Sequence, residues 1–95
     1  MTDPQIQFQD VDCPKLRSQV KSLIEDLTQL CPSDAAVRCR IRKIHNRFLA
    51  EIRVASESVL MQAKDQASAL NDVMDHIRTQ LLSQIVNWRN HRFAS

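Results

Sequence analysis

The sequence predicts an α+β domain with the element order β-α-β-β-β-α, in which two helices cover one face of a four-stranded sheet. Apolar and polar residues alternate near the N-terminus and through the middle of the chain, which is the period of half-buried strands. Apolar residues recur every three or four positions in two other segments, which predicts two amphipathic helices. The length of 95 residues suits one modest core, so we expect a single domain over residues 1–95.

The first strand is predicted over residues 5–9, where glutamine alternates with Ile6 and Phe8. Asp12 as N-cap and Pro14 in the first turn predict the start of the first helix, which we expect to end at residues 31–34. A right-handed crossover should then make the first two strands parallel neighbours. The apolar stripe of this helix consists of Leu16, Val20, Leu23, Ile24, Leu27 and Leu30.

Three further strands are predicted to form an antiparallel meander joined by two tight turns, His45-Asn46 and Ser56-Glu57. With these turns, every inward pair sets an apolar residue against an apolar residue, and a slip of one residue would destroy that agreement. The predicted pairs are Val37–Val54, Cys39–Ile52 and Ile41–Ala50 in the first hairpin, and Val54–Val59, Ile52–Met61 and Ala50–Ala63 in the second.

The second helix is predicted from about Gln66 to His91, and its length should leave residues 87–92 partly exposed beyond the sheet. Its apolar positions recur at helical spacing and should complete the core on the same face as the first helix. These positions are Ala69, Leu70, Val73, Ile77, Leu81, Ile85 and Trp88.

The composition argues against an enzyme. The chain has no glycine, so the glycine-rich loops that hold nucleotide phosphates are absent. The three cysteines and three histidines lack the spacing of a structural zinc site, and no catalytic constellation stands out. We therefore expect no catalytic residue, no cofactor, no metal and no small-molecule substrate. A thiol-based regulatory role for Cys13, beside a helix N-terminus, is an alternative.

The chain has the features of a cytoplasmic protein. No apolar run approaches the roughly 20 residues that cross a bilayer, and the acidic, polar N-terminus is unlike a secretory signal. The odd number of cysteines and the absence of a C-x-x-C pair are expected of reduced thiols. We expect no membrane partner.

Positive charge is concentrated in residues 37–53, which contain six basic side chains and one acidic side chain, although the formal net charge is only +2. Arg38, Arg40 and Arg42 should line the outer face of one strand. In the predicted register Arg40 lies opposite Glu51 as an ion pair, whereas Arg38 lies opposite Arg53, a like-charge pair that costs stability. Because the guanidinium fork suits phosphate, an anionic partner is favoured over the alternative of a merely solvated face.

Structured RNA fits this face better than single-stranded RNA does. The chain has no tyrosine, and Phe8 and Phe48 occupy inward positions, so the face offers no platform on which bases could stack. Recognition of the RNA backbone and shape is therefore expected, with an affinity that falls steeply as salt is added.

Residues 65–71, Asp-Gln-Ala-Ser-Ala-Leu-Asn, are similar to the D-x-Y-x-A-I-D/N pattern that precedes the second helix of the ribosome hibernation-promoting factor and ribosome-associated inhibitor family. Gln80-Leu81 matches the end of that family's R-Q-L, while Ala67 and Thr79 replace its tyrosine and arginine. The similarity covers nearly the whole chain, which resembles a short form of this family, without the additional dimerising domain of long members. The resemblance implies a fold similar to double-stranded-RNA-binding domains.

The resemblance also implies binding to ribosomal RNA in the messenger and transfer RNA channel of the small ribosomal subunit. There the protein would inhibit translation and stabilise idle ribosomes under stress. The expected RNA-binding residues are Arg38, Arg40, Arg42, Lys43, Arg47 and Arg53, with Arg89 and Arg92 as a second patch.

A protein-interaction module is the alternative function. In this interpretation Trp88 and Phe93, near the exposed end of the second helix, dock a partner protein or a second copy to form a homodimer.

Overall fold

The computed structural model describes the backbone of residues 4–94 and the side chains of residues 4–90. The predicted element order β-α-β-β-β-α is confirmed. The strands lie in the order β1-β2-β3-β4, with β1 parallel to β2 as predicted and the other neighbours antiparallel. The elements are β1 (Gln5–Gln9), α1 (Pro14–Leu30), β2 (Ala36–Ile44), β3 (Arg47–Ala55), β4 (Leu60–Ala67) and α2 (Leu70–Ala94).

The core lies between one face of the sheet and the two helices. Alternate residues of β2, β3 and β4 are buried there, while the residues between them are mostly exposed. This alternation confirms the predicted faces of the strands, because one side of the sheet is dry and the other is open to solvent. The buried strand residues are Val37, Cys39, Ile41, Ala50, Ile52, Val54, Met61 and Ala63; the helices contribute Val20, Ile24, Leu27, Leu70, Val73, Met74, Ile77, Leu81 and Ile85.

The N-cap of helix α1 lies one residue later than predicted. Cys13, not Asp12, is the N-cap residue, and its side chain makes no capping hydrogen bond. The Asp12 carboxylate instead lies 3.9 Å from the guanidinium of Arg17, whose Nε donates a hydrogen bond to the Val11 carbonyl at 2.7 Å. Arg17 therefore holds residues 11–12 against the first turns of the helix. Pro14 occupies the first turn as predicted.

The first hairpin has the predicted register and turn. His45 and Asn46 alone connect β2 to β3, and Val37, Cys39 and Ile41 lie opposite Val54, Ile52 and Ala50. Both turn residues have positive φ, 48° for His45 and 62° for Asn46. Positive φ at both positions is the conformation of a type I′ turn, whose twist matches that of the flanking strands.

The second hairpin differs from the prediction by two residues. Residues 56–59 form a four-residue loop, so Val54 lies opposite Met61, not Val59, and Ile52 lies opposite Ala63. The cause is Ser56, whose Oγ accepts the N–H of Val59 at 3.1 Å and whose own N–H donates to the Val59 carbonyl at 2.9 Å. A shift of two residues keeps every side chain on its face, so the inward and outward sets are unchanged.

Helix α2 begins at Leu70, four residues after the predicted start at Gln66, and continues to Ala94. Gln66 and Ala67 belong to β4 instead, where they lie opposite Leu49 and Phe48. Pairing with β3 satisfies their backbone groups better than an isolated first helical turn would. No helix within residues 4–94 is both long and apolar enough to span a bilayer.

Candidate functional site

The sheet face that points away from the helices, which we call the open face, is a regular array of polar and basic side chains. The register aligns them in three rows that run across all four strands, with neighbours in a row about 4.8 Å apart. The array contains five basic residues and a single acidic one. The rows are Gln5–Arg38–Arg53–Gln62, Gln7–Arg40–Glu51–Lys64 and Gln9–Arg42–Leu49–Gln66.

The first row contains the opposed arginines. Arg38 and Arg53 face each other across β2 and β3, as predicted, and glutamines complete the row on both sides. Both arginines are exposed and line a shallow depression of about 280 Å³. Among residues 4–90, no acidic side chain lies within 4 Å of either guanidinium. The row therefore presents two uncompensated positive charges beside the amide groups of Gln5 and Gln62, each of which has two N–H donors.

The second row has a different ion pair from the predicted one. Glu51 lies opposite Arg40 in the backbone register, but its carboxylate is paired with Lys64 of β4, with Nζ 3.8 Å from Oε2. In an antiparallel sheet Glu51 has a basic neighbour on each side, and the side-chain conformation selects one of them. No acidic side chain within residues 4–90 lies within 4 Å of the Arg40 guanidinium.

The third row includes the only apolar residue of the array, Leu49, between Arg42 and Gln66. Arg42 and Leu49 are half-buried, and with residues of the second row they border a shallow depression of about 420 Å³. Leu49 therefore offers an apolar contact beside a guanidinium.

At the hairpin end of β2 and β3, the two predicted basic residues Lys43 and Arg47 lie on opposite faces of the sheet. Arg47 lies opposite Ile44 on the side of the open face and extends its positive charge. Lys43 lies on the helix side, where its Nζ is 5.6 Å from the centre of the Phe48 ring, a cation–π contact. The alternation of β2 explains this placement, because Lys43 follows Cys39 and Ile41 at intervals of two.

Arg89 of the second predicted patch does not lie on the open face. Arg89 of α2 donates through Nη2 to the Leu30 carbonyl at 3.4 Å and so bonds the end of α1. The side chain of Arg92, like that of Phe93, lies outside the described residues. Trp88 is half-buried, while Asn87, Arg89 and Asn90 are exposed, as predicted for this end of the helix.

Lys64 and the glutamines of the outer strands belong to the array although the sequence prediction did not include them. Lys64 has the outward position that alternation assigns in β4, two residues after Gln62. The glutamines carry no charge and so escape a search for charge clusters. Alternation in β1 nonetheless places Gln5, Gln7 and Gln9 outward.

Three titratable groups outside the open face, Cys31, Cys39 and Asp65, are held by packing or hydrogen bonds. Burial raises the pKa of Cys39 to about 12. Burial also raises the pKa of Cys31, an effect that the nearby Arg89 charge opposes. His76 is exposed, and its Nδ1 donates to Asp65 Oδ2, which lowers the pKa of that carboxyl.

Two solved structures share this fold over nearly their whole length. A ribosomal subunit interface protein from Coxiella burnetii superposes with a TM-score of 0.70 at 16% sequence identity, covering 90% of this chain and 96% of the other. The N-terminal domain of Protein Y from Thermus thermophilus superposes with a TM-score of 0.74 at 13% identity, covering 92% of this chain and 99% of the other. No protein-family model matches the chain, and a search of curated proteins finds no match.

Proposed function

We propose that this protein binds ribosomal RNA of the small ribosomal subunit through the open face and inhibits translation by occupying that site. The observation that supports the proposal most directly is the row formed by Arg38 and Arg53. Two opposed guanidiniums without an acidic partner among residues 4–90 should cost the free protein stability, and a phosphate between them would remove that cost. The fold is shared with a protein whose name places it at the ribosomal subunit interface.

The shape and chemistry of the open face favour structured RNA over a single strand. Apart from Glu51 and Leu49, the side chains of its three rows are guanidiniums, an ammonium and amides, all of which donate to phosphate and ribose oxygens. Leu49 is the only apolar side chain in the three rows, and Phe8 and Phe48 pack against the core, so unstacked bases find no aromatic surface in these rows. The array therefore suits the backbone of a folded RNA.

The experiment is sedimentation of the purified protein with purified small ribosomal subunits at low and at raised salt. We expect co-sedimentation at low salt that is lost steeply as salt rises, because binding to phosphates releases counterions. The double variant Arg38→Gln/Arg53→Gln should weaken binding and reduce the slope of log affinity against log salt by about 2, one for each phosphate contact.

The matched control removes the same charge from the helices. Lys21 of α1 and Arg78 of α2 are exposed, so Lys21→Gln/Arg78→Gln gives a protein of equal net charge with an intact open face. This variant should sediment with the subunits as the unmodified protein does. If the control loses binding and the open-face variant retains it, RNA lies on the helices and the proposed face is wrong. Absence of co-sedimentation at low salt would overturn the function itself.

A further inference from the structure

The two edges of the sheet are finished differently. Along β4, the side-chain amides of Gln80 and Gln84 bond the backbone of Lys64 and Gln62, so this edge is occupied by the protein's own helix. Along the outer edge of β1, no hydrogen bond from the rest of residues 4–90 reaches the backbone of Gln5–Gln9. Alternate N–H and C=O groups of this strand are therefore available to another strand.

The apolar layer of the sheet is also unfinished at β1. On the helix side, the apolar residues of β2, β3 and β4 that share a row with Ile6 or Phe8 are at most 4% exposed; they are Cys39, Ile52, Ala63, Ile41 and Ala50. Ile6 and Phe8 hold the equivalent positions in β1 but are only partly buried. The Phe8 ring has the guanidinium of Arg17 above it at 5.2 Å. Apolar side chains from a neighbouring strand would cover Ile6 and Phe8.

On the open face the same edge is positively charged. Arg38, Arg40 and Arg42 stand directly behind the glutamines of β1 in the parallel register. Arg40 also lines an open depression together with residues 7–9 of β1, so it lies close to this edge. Side chains that a fifth strand places on this face would meet arginines, and acidic ones are favoured.

We propose that the outer edge of β1 binds an extended acidic segment of a partner protein, which adds to the sheet as a fifth strand. Its backbone would pair with β1, its acidic side chains would share the open face with Arg38, Arg40 and Arg42, which stand one strand behind the β1 glutamines, and its alternate apolar side chains would cover Ile6 and Phe8. A second copy of this chain fits less well. Its β1 has glutamines where acids are needed, and its own arginines would extend the positive face.

The test uses a blocked peptide of four Val-Glu repeats, titrated into ¹⁵N-labelled full-length protein and followed by NMR. We expect shifts confined to residues 5–9 and their β2 neighbours, with slowed amide exchange in β1. The control peptide has the same sequence with every backbone nitrogen methylated, which keeps its charges and removes all its N–H donors. It should bind at least 10-fold more weakly, since strand addition depends on main-chain hydrogen bonds.

Protein variants separate the charge contribution. Arg40→Gln should weaken the affinity for the Val-Glu peptide about 3-fold, the effect of losing one partly exposed ion pair. Arg78→Gln, which removes an equal charge from the exposed side of α2, should leave the affinity unchanged. Equal binding of the methylated peptide, shifts that map to the helices, or unmoved β1 signals at millimolar peptide would each overturn the proposal. So would β1 protection that grows with protein concentration alone, which would identify a second copy as the occupant. No RNA is present in this titration, so its outcome is independent of ribosome binding.

Discussion

The side-chain amide of Gln84 forms hydrogen bonds with both the backbone N–H and the backbone carbonyl of Gln62, as a neighbouring strand would. Its Nε2 donates to the Gln62 carbonyl at 2.6 Å, and its Oε1 accepts the Gln62 N–H at 3.0 Å. Gln80, one helical turn earlier, repeats the arrangement at Lys64 with distances of 3.1 and 3.4 Å. Helix α2 thus replaces a missing strand with two side-chain amides, and this protects the β4 edge from pairing with other chains.

Removing the Gln84 amide should destabilise the protein and open the β4 edge. For Gln84→Ala we expect the free energy of unfolding to fall by about 1–2 kcal/mol, the net value of two partly exposed hydrogen bonds. Urea denaturation measures this change, and amide exchange should show Gln62 losing protection. Ser83→Ala, the neighbouring exposed position, is the control and should be neutral. Unchanged Gln62 exchange in Gln84→Ala would mean that the amide pair is not formed in solution.

Replacing Arg53 should change stability and RNA binding in opposite directions. Arg53→Glu sets a carboxylate opposite Arg38, so the free energy of unfolding should rise by about 0.5–1 kcal/mol. Binding to small ribosomal subunits should be lost in the same variant, because a negative charge then stands in the phosphate row. Arg53→Gln should give a smaller stabilisation. A fall in stability for both variants would show that the opposed arginines carry no cost in the free protein.

Acid should weaken the link between β4 and α2 through Asp65. The hydrogen bond from His76 lowers the pKa of this carboxyl. Its stabilisation is therefore complete above the ordinary value of about 3.9 and disappears as pH falls through the lowered pKa. Between pH 5 and pH 3, the urea midpoint of Asp65→Asn should drop less than that of the unmodified protein. Asp75→Asn, which removes an exposed carboxylate outside this bond, should show the full drop; equal drops in all three proteins would contradict the expectation.

The first hairpin should be stabilised by the glycine that it lacks. Asn46 has a φ of 62°, a conformation with a steric cost that glycine avoids. For Asn46→Gly we expect the free energy of unfolding to rise by about 0.5–1 kcal/mol. Asn46→Val should have the opposite sign, because a β-branched residue is a poor occupant of positive φ. Thermal melting of both variants checks this expectation, and a lower melting temperature for Asn46→Gly would contradict it.

The sequence predicts the faces of the strands well because alternation survives errors in loop length. The second hairpin illustrates this: the predicted register is wrong by two residues, yet Ile52 and Met61 remain inward. The error came from Ser56, whose hydroxyl and backbone bonds to Val59 favour a longer loop. This preference for a four-residue loop depends on side-chain geometry, so the pattern of apolar and polar residues does not reveal it.

Element boundaries and side-chain partners were harder to predict for a related reason. The helical spacing of apolar residues in α2 predicts that the helix includes Gln66 and Ala67, but both residues pair with β3 and belong to β4. Glu51 has basic neighbours on two strands, so the sequence cannot tell Arg40 from Lys64 as its partner. Tertiary contacts decide both cases.

The parallel pairing of β1 with β2 has a consequence for the order of folding. Strands β2, β3 and β4 are joined by loops of a few residues and can form as a local meander, whereas β1 meets β2 only after α1 has crossed the sheet. The larger loss of chain entropy makes β1 the strand that we expect to join last and to detach first. A transient three-stranded form would then expose the β2 edge, beside Val37, Cys39 and Ile41, before global unfolding.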